Sequence, residues 1–300
     1  MLTLSAPRRV AIVGANRIPF ARSNTAYAEA SNQDMLTAAL QGLVDRFDLH
    51  GLRLGEVAAG AVLKLSRDIA LTRESVLGTT LGHDTPAYDV QQACGTGLEA
   101  AILVANKIAL GQIEVGIAGG VDTTSDAPIA LNEGFRQALL AANREKTALG
   151  RLKALSRAGL TAPFRPEPPR NAEPRTGLSM GEHCELMAKR WAIPREAQDA
   201  LAIRSHRNMA AAYEAGLFDE MITPFNGLTR DNNLRPDIDP AKVAAMRPVF
   251  DRENGTLTAA NSTPLTDGAS TVLLASEEWA KARGLPILAW IRAGETAAVD

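Results

Sequence analysis

Three hundred residues are enough for a sizeable hydrophobic core, as two average domains or one large one. With 46% hydrophobic and 22% charged residues the chain is not of the disordered class, and a formal net charge of −2 supplies no general attraction to nucleic acid or an anionic membrane. Aromatics at 4% argue against an aromatic-lined carbohydrate or nucleic-acid groove, and two cysteines, Cys94 and Cys184, are too few for a disulfide framework and fit a reducing, cytoplasmic compartment.

The opening residues, MLTLSAPRRVAIVGANR, place two arginines before an apolar run too short for a signal peptide, and no later stretch approaches the length of a transmembrane segment. Val10–Val13 reads as a buried strand that turns at Gly14-Ala15-Asn16. Residues 34–47 form a helical run, with Met35, Leu36, Ala39, Leu40 and Leu43 at helix spacing. A strand over Glu56–Leu63 and a helix over Ala70–Leu81 follow. The extended piece Tyr88–Gln92 runs straight into Cys94-Gly95-Thr96-Gly97. After it, residues 98–110 read as a helix apolar enough to be buried in the centre of a fold. A further strand, Val115–Ala118, ends at Gly119-Gly120. Strands alternating with helices predict an α/β fold with a mostly parallel sheet.

Beyond Asp122 the pattern changes. From Arg136 to Arg165 seven basic residues face the single Glu145, and the proline-rich stretch Pro163–Pro174 follows. A long helix runs from about Pro194 to Ala215, with proline suited to its start and Gly216 to its end. Sheet signals return within Gly255–Ser276, and Leu288–Ala293 reads as a new strand. The expected organisation is a core over 1–121, an inserted region over 122–265, a return to the core over 266–287, and the start of a second core domain over 288–300, left unfinished.

Cys94 is the sharpest chemical feature. It follows a strand and opens a helix, whose N-terminal N–H groups and partial positive charge favour a thiolate. Gly95 and Gly97 leave room for a substrate carbonyl, and the Cys94 N–H is placed to stabilise an oxyanion. A small buried hydrophobe is the competing reading, and local context alone leaves both open. His183-Cys184 lack further ligands at helical spacing, so no metal site is expected. His206 reads as a surface or packing residue, and His50 and His83 lie in loops with nothing to mark them. Gly116-x-x-Gly119-Gly120 is not a dinucleotide fingerprint. The basic run is a solvated face or a surface that attracts a polyanionic ligand or a partner protein.

Several segments, in order along the chain, resemble the thiolase family: VAIVGANRIPF at Val10–Phe20, QQACGTG around Cys94, GIAGGVD at Gly116–Asp122, MGEHCE at Met180–Glu185, R-x-x-Q-D-x-x-A-x-x-S-H with its closing G-x-F between Pro194 and Phe218, and TAANSTPLTDGA at Thr258–Ala269. Ile18, His183 and Cys184 depart from the family's usual residues. The N-S-T-P-L-T-D-G form is closest to the long-chain 3-ketoacyl-CoA thiolases of fatty-acid oxidation complexes. The resemblance implies a layered α/β fold with an inserted loop domain, and Cys94 as acyl-accepting nucleophile. It also implies Met180 in the acyl pocket, Ala259, Thr263 and Leu265 against the pantetheine arm, coenzyme A as co-substrate with no permanently bound cofactor, and a homo-oligomer, with an oxidation-complex partner subunit as a further candidate. Turn chemistry is the competing reading of Ala259, Thr263 and Leu265.

Three further loops of the family, carrying N-E-A-F or H-E-A-F, G-H-P and C-x-G-G, do not occur in this sequence, and none of its four histidines sits where the family's base should be. The expectation is therefore a chain that stops inside its second core half and is inactive by itself. Its alternative is a catalytically incomplete subunit that binds acyl-CoA or scaffolds a complex. A condensing enzyme of lipid or polyketide synthesis on the same fold is disfavoured by the MGEHCE and TAANSTPLTDG segments.

Overall fold

The computed structural model describes residues 7–159 and 165–298. Pro163 and Phe164, which open the proline-rich stretch, and the last two residues lie outside the described residues. The frame is a sheet built from β1 (Val10–Arg17), β2 (Ala21–Arg22), β3 (Glu56–Ala59), β4 (Ala87–Asp89), β5 (Val115–Asp122), β6 (Thr266–Ser276) and β7 (Ala289–Ile291). The strand order is β4-β3-β5-β6-β1-β7, with β2 on the start of β6. β3 is parallel to β4 and β5, while β6 is antiparallel to both β5 and β1, and β7 antiparallel to β1. β4, β3, β5 and β1 therefore point one way, and β6 returns through the middle. The chain path gives the reason. β5 ends at Asp122 opposite Gly268, so the chain leaves the sheet and, after residues 123–265, re-enters at the same edge on the adjacent strand. Only an antiparallel strand can do that.

Both faces of the sheet are covered, which the near-continuous apolar strands require. Side chains alternate between the faces. Ala11, Val13, Val57, Ile117 and Leu273 pack with α1 (Asn32–Arg46) and α2 (Leu71–Leu77), whereas Val10, Ala58, Ala118 and Leu274 pack with α3 (Thr96–Ala109). α1 starts with a capping box in which the Ser31 hydroxyl accepts from the Asp34 N–H and the Asp34 carboxylate accepts from the Ser31 N–H.

Some element boundaries depart from the sequence reading for local reasons. β5 continues through Gly119-Gly120 because both pair with β6, opposite Thr271 and Ser270. β3 stops at Ala59, where its pairing with Asp89 of β4 ends, and at the next residue, Gly60, a Cβ would lie 1.9 Å from the Val90 carbonyl oxygen. α3 is not buried all round. Ala100, Val104, Ala105 and Ile108 form one buried stripe, while Leu98 is 69% exposed.

Residues 127–180 form a compact unit of their own, containing α4 (Glu133–Arg144) and α5 (Ala148–Ser156), which pack together with Ala138, Ala142 and Ala154 buried. The remaining chain forms the other unit, with α6 (Met180–Arg190) from its second residue on, α7 (Arg195–Glu214), α8 (Pro240–Ala244) and α9 (Glu277–Ala282). α7 is preceded by Pro194 at its N-cap and closed by Gly216 at φ +69°, with the Gly216 and Leu217 amides donating back to Tyr213 and Ala212.

Candidate active site

The C-terminal ends of the three parallel strands β4, β3 and β5 share one edge of the sheet, where open α/β folds place their ligand-binding loops. β4 leads through Val90, whose amide donates to Ala59, to a turn at Ala93, and the turn delivers Cys94 ahead of the first residue of α3. Ala93 has φ +45°. This left-handed conformation costs a residue with a side chain roughly 1–2 kcal/mol. The turn is closed by the Gly95 amide donating to Gln92 at 3.0 Å and the Thr96 amide donating to Ala93 at 3.1 Å. Those two N–H groups are thus used inside the turn, and the expected oxyanion contact rests on the Cys94 amide itself.

Cys94 is exposed and lines a cavity of about 920 Å³. Ile12, Phe20, Leu98 and Trp290 supply apolar wall, and Gly97 and Gly120 expose backbone. A Cβ on Gly97 would approach protein no closer than 3.7 Å, so its missing side chain is free volume at the cavity. Asp122, also on this cavity, ends β5 and accepts from the amides of Val62 and Leu63 at 2.8–3.0 Å. Burial pushes its carboxyl above the usual carboxylate range, against the opposing pull of those amides. None of the four histidines lines this cavity.

A second cavity, about 730 Å³, lies between α6, α7 and the segment from Leu257 to Pro264. Cys184, His206, Arg235 and Thr263 are among its lining residues. His206 accepts from the Arg235 amide through Nδ1 at 3.3 Å, and burial together with the Arg235 charge holds its pKa below the ordinary imidazole value.

Residues 10–278 match the family described as "Thiolase, N-terminal domain". The chain belongs to the thiolase family. It is therefore related to acyltransferases, and its relatives carry corresponding names. The 3-ketoacyl-CoA thiolase of Yersinia pestis (strain Pestoides F) is 40% identical over 298 residues, covering 97% of this chain and 68% of that protein. The Bacillus anthracis acetyl-CoA acetyltransferase superposes with a TM-score of 0.77 at 28% identity, over 94% of this chain and 69% of that one. Human mitochondrial 3-ketoacyl-CoA thiolase in complex with CoA gives the same TM-score at 26% identity, over 94% and 68%.

The thiolase motifs of this chain have distinct structural roles. Glu185, at the end of MGEHCE, is buried and accepts from the Thr256 amide at 2.7 Å, the Thr256 hydroxyl at 2.9 Å and the Leu257 amide at 3.0 Å. Asp199, from the Q-D pair on α7, accepts from Asn261 at 2.8 Å and from Arg195 at 2.8 Å, and Gln198 donates to the Thr256 hydroxyl at 3.0 Å. Three sequence motifs thus become one hydrogen-bonded lattice. It fixes the segment that carries Ala259, Thr263 and Leu265, and all three present exposed positions. Thr263 lines the second cavity, whereas Ala259 and Leu265 line neither cavity described here. Met180 opens α6, belongs to the smaller compact unit and is 57% exposed. Sequence reasoning missed Asp122 as a cavity residue, although the D of GIAGGVD at the end of a parallel strand was the available signal.

Proposed function

We propose that this thiolase moves an acyl group between thioesters through Cys94, with 3-ketoacyl-CoA as substrate and coenzyme A as acceptor. The observation that carries the reading is the placement of an exposed thiol at the C-terminal edge of the parallel strands, on a strained turn and in a largely apolar cavity. In the first half-reaction the Cys94 thiolate attacks the 3-keto carbon. The bond between C2 and C3 breaks, its electrons leave on acetyl-CoA as the enolate, and the enolate takes up a proton. In the second, the thiol of coenzyme A loses its proton and attacks the thioester, which releases acyl-CoA and the Cys94 thiolate. A thiol suits both halves because it is a good nucleophile and a good leaving group. On this reading Met180 contacts the acyl group, and Ala259, Thr263 and Leu265 contact the pantetheine arm. The resemblance of the N-S-T-P-L-T-D-G segment to thiolases of fatty-acid oxidation complexes favours a degradative role. On this reading the chain works as a homo-oligomer in a reducing, cytoplasmic setting, which two free cysteines fit; no helix among the described residues is long and apolar enough to cross a membrane.

The absence of histidine from the Cys94 cavity favours a second reading, in which the 300-residue chain takes up acyl-CoA without turning it over. One experiment separates the two. The chain is incubated with a 3-ketoacyl-CoA and its intact mass recorded before and after coenzyme A is added. An acyl adduct on the Cys94 peptide that coenzyme A discharges supports the transferase, and intact 3-ketoacyl-CoA held by the chain with no covalent adduct supports the second reading. The Cys94→Ser variant should form no thioester. An adduct of equal yield in that variant would overturn the assignment.

A further inference from the structure

We propose that Thr96 is the positioning residue of the Cys94 site, and that its hydroxyl holds the strained turn that presents the thiol. The inference rests on the reading of Cys94 as the acyl acceptor. Thr96 is the first residue of α3 and is 5% exposed, yet its hydroxyl does not face the helix. It reaches back across the turn, accepts from the Gln92 amide at 2.9 Å and donates to the Ala93 carbonyl at 2.6 Å. These two groups lie on either side of Ala93, the residue at φ +45°. The same hydroxyl therefore restrains the chain before and after the unfavourable backbone conformation, as an over-determined strained residue requires. Without it Ala93 would relax toward negative φ, and the next residue, Cys94, would turn away from the strand edge.

The methyl group of Thr96 has a separate task. It packs on Gly60, where an added Cβ would come within 2.9 Å of it. The two tasks can be divided by substitution. Valine keeps the methyl and loses the hydroxyl, and serine does the reverse. Glycine at position 93 removes the reason for the clamp, since it adopts positive φ without steric cost.

The test uses the full chain and iodoacetamide, with Cys184, exposed elsewhere on the same molecule, as internal reference. The ratio of Cys94 to Cys184 alkylation rates, read by peptide mass spectrometry, should fall at least fivefold in Thr96→Val. It should stay within twofold of wild type in Thr96→Ser, and the double variant A93G/T96V should recover most of the loss. Thr96→Ser should likewise retain the rate of acyl uptake that Thr96→Val loses. An unchanged ratio in Thr96→Val, an equal loss in Thr96→Ser, or no recovery in the double variant each overturns the proposal. Should Thr96→Val fail to fold, Ala93→Gly alone decides: relief of strain raises its Tm, and a lowered Tm refutes the strained turn. If the alkylation ratios behave as expected but no acyl group is taken up, the transferase reading fails while the positioning role stands.

Discussion

Asp122 combines two opposing demands at one residue. Its carboxylate satisfies the Val62 and Leu63 amides, yet it ends β5 at a partly desolvated place beside the Cys94 cavity. Burial raises its pKa above the unfolded value, so the carboxylate binds a proton more readily in the folded chain. The stability linked to this group is therefore fully present below the unfolded carboxyl value, about 3.9, and is lost as pH rises through the folded one. Asp122→Asn keeps an acceptor for the amides and removes the titration. Its stability relative to wild type should improve from pH 4 to pH 7.5 in urea unfolding, and a difference constant with pH would contradict the raised pKa. Asp122→Ala leaves the two amides unpaired and should cost about 1–3 kcal/mol at either pH. The residue scale is also where the sequence was least complete. A strand, two glycines and an apolar helix marked Cys94 out but left a small buried hydrophobe open; its exposure on the cavity argues against that alternative. The Thr96 hydroxyl was not legible, because nothing in C-G-T-G distinguishes a threonine capping its own helix from one reaching back across a left-handed alanine.

At the scale of elements, periodicity located α1 and α7 closely but overran α2, which ends at Leu77 before Gly78 rather than at Leu81, and it read the strand ends poorly. α1 and α7 were located to within two residues because their apolar spacing, caps and terminal glycine are local signals. The extent of β5 depends on its partner β6, more than 140 positions later in the sequence, and no local signal reports that pairing. The motifs that made the chain recognisable act mainly between elements. Glu185 of α6 and Asp199 of α7 hold the segment from Thr256 to Asn261, whereas of the exposed residues expected to meet coenzyme A, Ala259 rides on that segment and Thr263 and Leu265 follow it. Glu185→Ala removes the acceptor of three donors in a buried place and should destabilise the fold by about 3 kcal/mol. Glu185→Gln, which keeps one carbonyl acceptor, should lose less than half of that. Chemical denaturation of the two variants checks the ranking, and equal losses would mean that packing rather than hydrogen bonding is the role of Glu185.

Over the whole molecule, the main topological fact is that residues 123–265 leave and re-enter the sheet at one point, between Asp122 and Thr266. The chain closes that point with a single buried carboxylate. Asp267 accepts from the Thr124 amide at 2.7 Å, the Ser125 amide at 3.1 Å and the Thr123 hydroxyl at 3.1 Å, and also from the Ser125 hydroxyl. These donors are the first three residues of the departing chain, and Asp267 is the second residue of the returning strand. Asp267, in the T-D-G of the TAANSTPLTDGA motif, thus ties the exit to the entrance. Asp267→Ala would leave several buried donors without an acceptor, at a cost of about 3 kcal/mol or more. The β5–β6 ladder has eight residue pairs from Val115–Ala275 to Asp122–Gly268, and those nearest β5's start lie far from the lesion. The damage should therefore be local. Limited proteolysis of Asp267→Ala should show new cleavage between Thr123 and Leu131 while far-UV circular dichroism keeps its native shape. Cooperative unfolding with no such local cleavage would instead mean that the junction and the sheet are one unit, and that the excursion cannot open without loss of the core.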